Sequence, residues 1–362
     1  MTTRLPAATL TPDVFSAVMA TGILSIAARN HHYGRISGTL GILASVGLLV
    51  LVALVVFGVA AKRRLVSWDL SDPDVTLRLF TFVAACAVLD SRLASDPVVA
   101  WVLGVTGLSA WLVLMALTAR NMSRRRWTAL RDQAHGAWEL ASVGTSGLAI
   151  VSSQDARYTG HHWWLAVAVP IWIVAILLYG LMTWLILWRA VAERQDRDGF
   201  EPDTWILMGA LAIATLAGDD IHQLSPGWLA GTVRTVTIVT WVAATLWIPP
   251  LIYFGLHRIT RRPDVLQLTG AWWTLVFPLG MYSVATHAMA YELGVRSMRT
   301  ISLVFFWNAL AAWVIVAVGG LLRARHRVRA SESGCPPSAA RGRPGRGWRQ
   351  DPRGARRRRD RC

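Results

Sequence analysis

Split at its ionisable residues, the chain yields ten long uncharged stretches: 14–28, 36–61, 79–89, 97–119, 140–154, 163–188, 204–218, 235–256, 265–286 and 300–322. A helix needs about 20 apolar residues to cross a hydrocarbon core. The even-numbered stretches hold 22 to 26 residues and are long enough to cross unaided, whereas four of the five odd-numbered ones hold only 11 to 15. They also differ in kind. Even stretches are aliphatic, as in Leu48 to Val56 and Ile171 to Leu187. Odd stretches are rich in small residues, such as Ser16-Ala17, Ala20-Thr21-Gly22 and Gly144-Thr145-Ser146-Gly147. In or beside them lie Asp13, Arg78, Asp90, Arg92, Glu139, Asp203, Asp219 and His287. A charge at the bilayer centre costs roughly 2.5–3.5 kcal/mol, so a lipid-facing helix must be long and apolar all round. A helix screened by other helices can be shorter and carry polar ends. Small residues suit close packing in any bundle, but five alternations in a row predict more than that: an inner set of five helices sheathed by an outer five.

A repeat supports this. The odd segments begin near Pro12, Thr76, Ala137, Asp203 and Gly270, at offsets of 64, 61, 66 and 67 residues. A near-constant period marks a repeated supersecondary unit, here a helical hairpin. Sixteen Lys and Arg residues before the tail fall on one side, among them Lys62, Arg124, Arg125 and Arg126, against seven on the other. The positive-inside rule then places both termini in the cytoplasm. All odd helices run outward, and parallel repeats about an axis along the membrane normal enclose a central path. The expected fold is all-α and integral to the membrane: ten transmembrane helices as five parallel helical hairpins around a central pore.

Composition agrees. Apolar residues make up 54% of the 362 and charged residues 16%, against about 25% charged in a soluble domain. That excludes an ordinary cytosolic enzyme and a disordered protein. Nineteen tryptophans suit interfacial belts, with Trp163, Trp164, Trp184, Trp188, Trp205, Trp228, Trp272 and Trp273 near the expected interfaces. The formal charge of +16 is concentrated in the tail: Arg323 to Cys362 holds fourteen arginines against three acids, leaving +5 for the remainder. The expected organisation is a cytoplasmic segment 1–11, a transmembrane domain 12–322 and a disordered basic tail 323–362. The tail is rich in Arg, Gly and Pro and is expected to attract anionic lipid headgroups rather than nucleic acid. Met1 to Thr11, interrupted by Pro6, lacks the order of a cleaved signal peptide. Cys86, Cys335 and Cys362 form no metal or disulfide pattern.

No catalytic signature is present: no H-E-x-x-H, P-loop, G-x-G-x-x-G or G-x-S-x-G motif. No cofactor or metal is expected. The pairs His31-His32 and His161-His162, with His222, read as solvated loop residues, and Asp219-Asp220 as a solvated helix end at the outer mouth. His287, at the outer end of the ninth segment, fits either hydrogen-bonded core packing or pore lining. That segment, Ala271 to Thr286, is the most suggestive. Pro278 removes a backbone bond and is expected to kink the helix. Gly280 permits close approach, and Phe277 sits on the bend near mid-membrane.

Trp272-Trp273-Thr274-Leu275-Val276-Phe277-Pro278-Leu279-Gly280 resembles the W-W-x-x-x-F-P-x-G segment of the tellurite-resistance/dicarboxylate transporter family, which includes malate and sulfite carriers and the plant slow anion channels. Pro12-Asp13-Val14-Phe15-Ser16-Ala17-Val18-Met19-Ala20-Thr21-Gly22 resembles its first-helix P-x-x-F-x-x-V-M-x-T-G pattern. Gly144 to Ala149 is similar to its fifth-helix segment, with Ser146-Gly147 where the family often has Gln-Ser. The resemblance covers about Pro12 to Leu322. It implies five hairpins around a pseudo-fivefold pore, often in a homotrimer, with Phe277 at the position of the family's pore-blocking phenylalanine.

The expected function is transport of a small anion (tellurite, C4-dicarboxylate, sulfite, halide or nitrate) across the cell membrane through a Phe-gated pore. Thr21, Gly22, Thr145, Ser146, Pro278, Gly280 and His287 are the expected pore-lining or kink positions. No Arg or Lys lies mid-span in an odd segment, so weak binding with release is expected. The alternative is a proton-coupled exporter of an organic anion or sulfite, with His287 and the outer carboxylates titrating. A membrane-embedded enzyme or sensor is the remote alternative.

Overall fold

The computed structural model describes residues 10–61, 68–192, 202–261 and 272–332. Among these every long element is a helix. Helix α1 (Ser16–Asn30) turns through His31 to Tyr33 into α2 (Gly34–Ala60). The turn is closed by backbone bonds from His31 to Ala27 and from Tyr33 to Ala28, with His32 at a left-handed φ of 63°. Short α3 (Pro73–Arg78) leads into α4 (Phe80–Leu93) and then α5 (Pro97–Ser123). The α5 start is encoded locally: Asp96 accepts from the Val98 and Val99 amides, and Pro97 occupies the first turn, where no amide proton is needed. Next come α6 (Trp127–Gln133), a 3-10 turn at Gly136–Glu139, α7 (Leu140–Thr159) and α8 (Leu165–Ala192). The chain finishes with α9 (Ile206–Leu224), α10 (Gly227–Arg261), α11 (Trp273–Glu292) and α12 (Arg296–Glu332).

Six stretches are long and apolar enough to cross a membrane, and this is an integral membrane α-fold. Burial separates the helices into two layers. The apolar windows of α2, α5, α8, α10 and α12 are only 11–28% buried, against 83% for the stretch that contains α9. Leu49, Val102, Leu177, Leu246 and Leu321 stand exposed on the outer layer, where lipid rather than water is the solvent that suits them. Helices α1, α4, α7, α9 and α11 neighbour one another in that order, and α11 returns to α1. Each packs against the outer helix that follows it. The layers match the odd and even stretches of the sequence.

Close approach within the inner layer depends on missing side chains. A Cβ on Gly22 would stand 2.7 Å from Val88 Cγ1 of α4, and one on Gly147 would stand 2.8 Å from Ala87 Cβ. Gly209 meets Pro278 across the α9–α11 contact at 3.0 Å, and Gly280 meets Ile23 across α11–α1 at 3.1 Å. The layers are joined by indole hydrogen bonds. Trp313 Nε1 donates to Thr21 Oγ1 at 2.9 Å, Trp111 Nε1 to Thr145 Oγ1 at 2.8 Å and Trp241 Nε1 to Thr286 Oγ1 at 3.2 Å. Trp172 Nε1 donates to the Ala214 carbonyl at 2.8 Å. These tryptophans are mid-helix joints, not members of an interfacial belt.

Two boundaries differ from expectation. Helices α4, α7, α9 and α11 continue towards their C-termini through Asp90, Asp155, Asp219-Asp220 and His287, because charge does not stop helical hydrogen bonding when it has a polar place to go. Helix α11 carries Pro278 within its length. Helix α12 extends to Glu332, so the first ten residues of the expected disordered tail are helical; Ala and Arg there are good helix formers. Residues 1–9 and 333–362, most of the expected terminal segments, lie outside the described residues.

Candidate functional site

A cavity of about 290 Å³ opens among all five inner helices. Its apolar wall comes from Ile23 on α1, Val88 on α4, Ile150 on α7, Ile213 on α9 and Met281 on α11. The helices meet the cavity from about their middles towards their C-termini, and the five run in the same direction. The rim is polar: Arg29, Asn30, Ser91, Gln154, Arg157 and Asp220. One turn towards the N-termini of α1, α4, α7 and α11 stand Met19, Val83, Val143 and Phe277, all buried to 1% exposure or less.

Phe277 holds a defined place in this buried layer. Met281 and Val284 line the cavity, and a helix returns to the same face after three or four residues. Phe277 is one turn deeper on that face and fully buried. Pro278, next to it, packs on Gly209 of the adjoining helix, which seats α11 against α9 at the depth of the phenylalanine.

The other expected residues divide. Thr21 and Thr145 were expected to face the path, but their hydroxyls donate to the Ala17 and Ala141 carbonyls and accept the Trp313 and Trp111 indoles. They face the sheath. The physical reason is angular: the cavity faces of α1 and α7 carry Ile23 and Gly147, and a residue two positions earlier lies about 200° round the helix. Gly22 and Gly280 serve the inter-helix contacts described above. Ser146 is fully buried and its Oγ has no partner among the described residues; it lies one turn below Ile150 of the cavity wall. His287 lies at the contact of α1, α11 and α12. Its ring meets those of His31 and Tyr291, each at 5.1 Å, and its Nδ1 is buried without a partner. His31 is not a solvated loop residue either, since its Nε2 lies 2.9 Å from Ser302 Oγ.

Asp219 and Asp220 are likewise not a solvated helix end. Helix α9 continues to Leu224, Asp219 is buried and accepts Gln223 Nε2 at 2.8 Å, and Asp220 lines the cavity 3.5 Å from Arg157. Arg29 and Arg157 had entered the sequence reading only as loop charges. Their spacing from Ile26 and Ile150, at helical intervals, was the available signal for a shared face.

At the other end, the entries of the inner helices are tied by one imidazole. His135 Nδ1 lies 2.8 Å from Asp203 Oδ2 and Nε2 lies 2.6 Å from Asp74 Oδ1. Arg78 Nε donates to Asp74 at 2.9 Å and its guanidinium reaches Asp13 at 3.7 Å. Burial alone would lower the His135 pKa, but the bonds and charges of Asp203 and Asp74 outweigh it and push the pKa up to about 9. With both nitrogens facing carboxylates, the ring is a doubly donating cation. The recurrence of Pro-Asp at Pro12-Asp13, Pro73-Asp74 and Pro202-Asp203 is the pattern that marked this cluster and was missed. Among the described residues no group of three metal-binding side chains occurs.

A cavity shared by five like-directed helices, with a buried phenylalanine one turn from its wall, is a geometry that suits a conduit, and comparison with known proteins points the same way. The chain is 21% identical over 324 residues to an uncharacterized transporter of Methanocaldococcus jannaschii, covering 84% of this chain and 92% of the relative. A second transporter of that organism is 21% identical over 327 residues, covering 85% and 91%. An uncharacterized membrane protein of Mycobacterium tuberculosis is 30% identical over 152 residues, 40% of this chain and 76% of the relative. Residues 9–321 match the SLAC1 family, described as voltage-dependent anion channels, so this multi-pass membrane protein belongs to the family of anion channels and transporters that its first- and ninth-helix motifs resembled.

Proposed function

We propose that this chain conducts small anions through the centre of its inner ring, with ten membrane-crossing helices as five parallel hairpins and both termini cytoplasmic. The carrying observation is the cavity to which all five inner helices contribute, with Phe277 buried one helical turn from Met281 of its wall. In this reading Phe277 is the gate. A benzyl group between packed helices fills the path and keeps it dry, and an anion cannot shed its hydration there without replacement ligands. Ser146, buried and unpartnered, is the polar group of the narrow section. The anion class follows from the family. The unit is a homotrimer, readable from its mass in detergent.

The test is the Phe277→Ala variant in proteoliposomes loaded with chloride or nitrate. Efflux at least tenfold above wild type is expected. Unchanged efflux from a variant with the wild-type elution profile overturns the gate.

A second reading, proton-coupled export of an organic anion, is favoured by one observation: His287 keeps an unpartnered Nδ1 at the outer end of an inner helix. Its signature is flux that follows an imposed pH gradient and loses that dependence in His287→Gln.

A further inference from the structure

Five helices with their C-termini at one mouth create an electrostatic problem for an anion path. Each helix presents about half a negative charge at that end. The charges that offset it are Arg29, Arg92 and Arg157, in the last turns of α1, α4 and α7. They are not equivalent. Arg92 is turned aside, its Nε donating to Ser25 Oγ at 2.7 Å, and only Arg29 and Arg157 line the cavity. Arg157 is held loosely by Asp220 at 3.5 Å and by Gln223 at 3.0 Å. The Arg29 guanidinium makes no hydrogen bond or ion pair with a described residue. Gln154, on the same wall, has a side-chain oxygen buried without a partner.

A guanidinium with all its donors unspent, facing a cavity with a second guanidinium and the side-chain amides of Asn30 and Gln154, is chemistry for a carboxylate or oxyanion. The planar fork matches two oxygens at once, which a halide cannot offer. The protein already places one carboxylate there: Asp220 lines the cavity and faces Arg157. Of the other acids at this end, Asp219 is engaged with Gln223, Glu292 accepts from Arg234, and Asp90 lies towards Gly104 in the outer layer.

We propose that Arg29 and Arg157 form an external binding site for a small carboxylate or oxyanion, in which Asp220 is a built-in competitor for Arg157. The site rests on the pore reading for its purpose, since it would concentrate anions above Phe277, but not for its detection. Neutralising Asp220 frees Arg157 and tightens binding. Neutralising Arg29 removes the uncommitted cation of the cavity wall and weakens it. Last-turn arginines that served helix stability alone would change the melting temperature but not its response to an anion.

The experiment is thermal unfolding of detergent-purified full-length protein titrated with sodium succinate, with sodium chloride at matched ionic strength as control. A ligand that binds only the folded state raises the melting temperature with concentration. Wild type is expected to show a succinate-specific rise. The apparent Kd should weaken about tenfold in Arg29→Gln and strengthen several-fold in Asp220→Asn, the size of one charged hydrogen bond. Arg29→Lys, which keeps the charge and loses the fork, is expected to fall between wild type and Arg29→Gln. Equal responses to succinate and chloride, or a succinate response unchanged in Arg29→Gln, overturn the site. Because no conduction is measured, this outcome is separate from the Phe277→Ala result: a gate without a site, or a site without a gate, would each be visible.

Discussion

Threonine is a common residue in membrane helices, and its hydroxyl usually returns to the carbonyl four residues earlier. Thr21 and Thr145 do so, and each also receives an indole proton from the sheath. The second bond is the one that matters for stability. Removing the acceptor strands a Trp313 or Trp111 N–H in an apolar layer with no water to replace it, at a cost of about 1–3 kcal/mol. Thr21→Val is therefore expected to lower the unfolding temperature of the purified protein while leaving anion flux in a Phe277→Ala background unaltered. A large flux change with normal stability would return Thr21 to the path. The side chain alone could not reveal this choice. Thr21 and Ile23 are both compatible with a buried helix, and the deciding partner, Trp313, is 292 positions away in the chain.

At the scale of the helix, the inner ring is a packing solution built on absent atoms. Gly22 and Gly147 have the shortest clearances to α4, 2.7 Å to Val88 and 2.8 Å to Ala87 for a Cβ. Gly22→Ala or Gly147→Ala must push α4 aside, since both obstacles are short side chains close to the backbone. Overpacking of this kind costs about 1–3 kcal/mol, against a gain of about 1 kcal/mol in helix propensity. Net destabilisation is expected, read as a lower thermal midpoint, and a stabilised Gly147→Ala protein would show that α4 and α7 are not pressed together there. Helix ends show where sequence reading fell short. Cutting the odd segments at the first charge ended the ninth at Thr286, yet α11 continues to Glu292. Charge marks the limit of the hydrocarbon, not of the helix, and the C-terminal turns of α1, α4, α7 and α9 supply the polar rim of the cavity.

For the molecule as a whole, the two ends of the ring differ in chemistry. The C-terminal end carries the cavity and its polar rim. The N-terminal end is fastened by His135, which brings together the segments leading into α4, α7 and α9 through Asp74 and Asp203, with Arg78 extending the network to Asp13. The His135 pKa, at about 9 in the fold, lies above the ordinary value near 6.5. The stabilisation from its charge is therefore fully present below about pH 6.5 and is lost as pH rises through about 9. We expect the melting temperature of wild type to fall between pH 7 and pH 10 (range chosen to span that loss, on the order of 3 kcal/mol) and His135→Gln to remove most of that slope. An identical slope in the variant would assign the pH dependence to other groups.

What the amino-acid order determined by itself was the number, length and alternation of the helices. Lipid imposes a minimum apolar length and forbids bare charge, so the five sheath helices announce themselves, and the shorter segments between them are inner by exclusion. The Phe277-Pro278 pair was legible too, because its local pattern is distinctive. What only the tertiary structure decided was rotation: which side of each inner helix meets the cavity. A helix buried all round has no polar and apolar face to compare, so its periodicity carries no direction. That is why Thr21 and Thr145 were aimed at the path and Arg29, Arg157 and Asp220 were left at its margin, when contacts from distant parts of the chain turn them the other way.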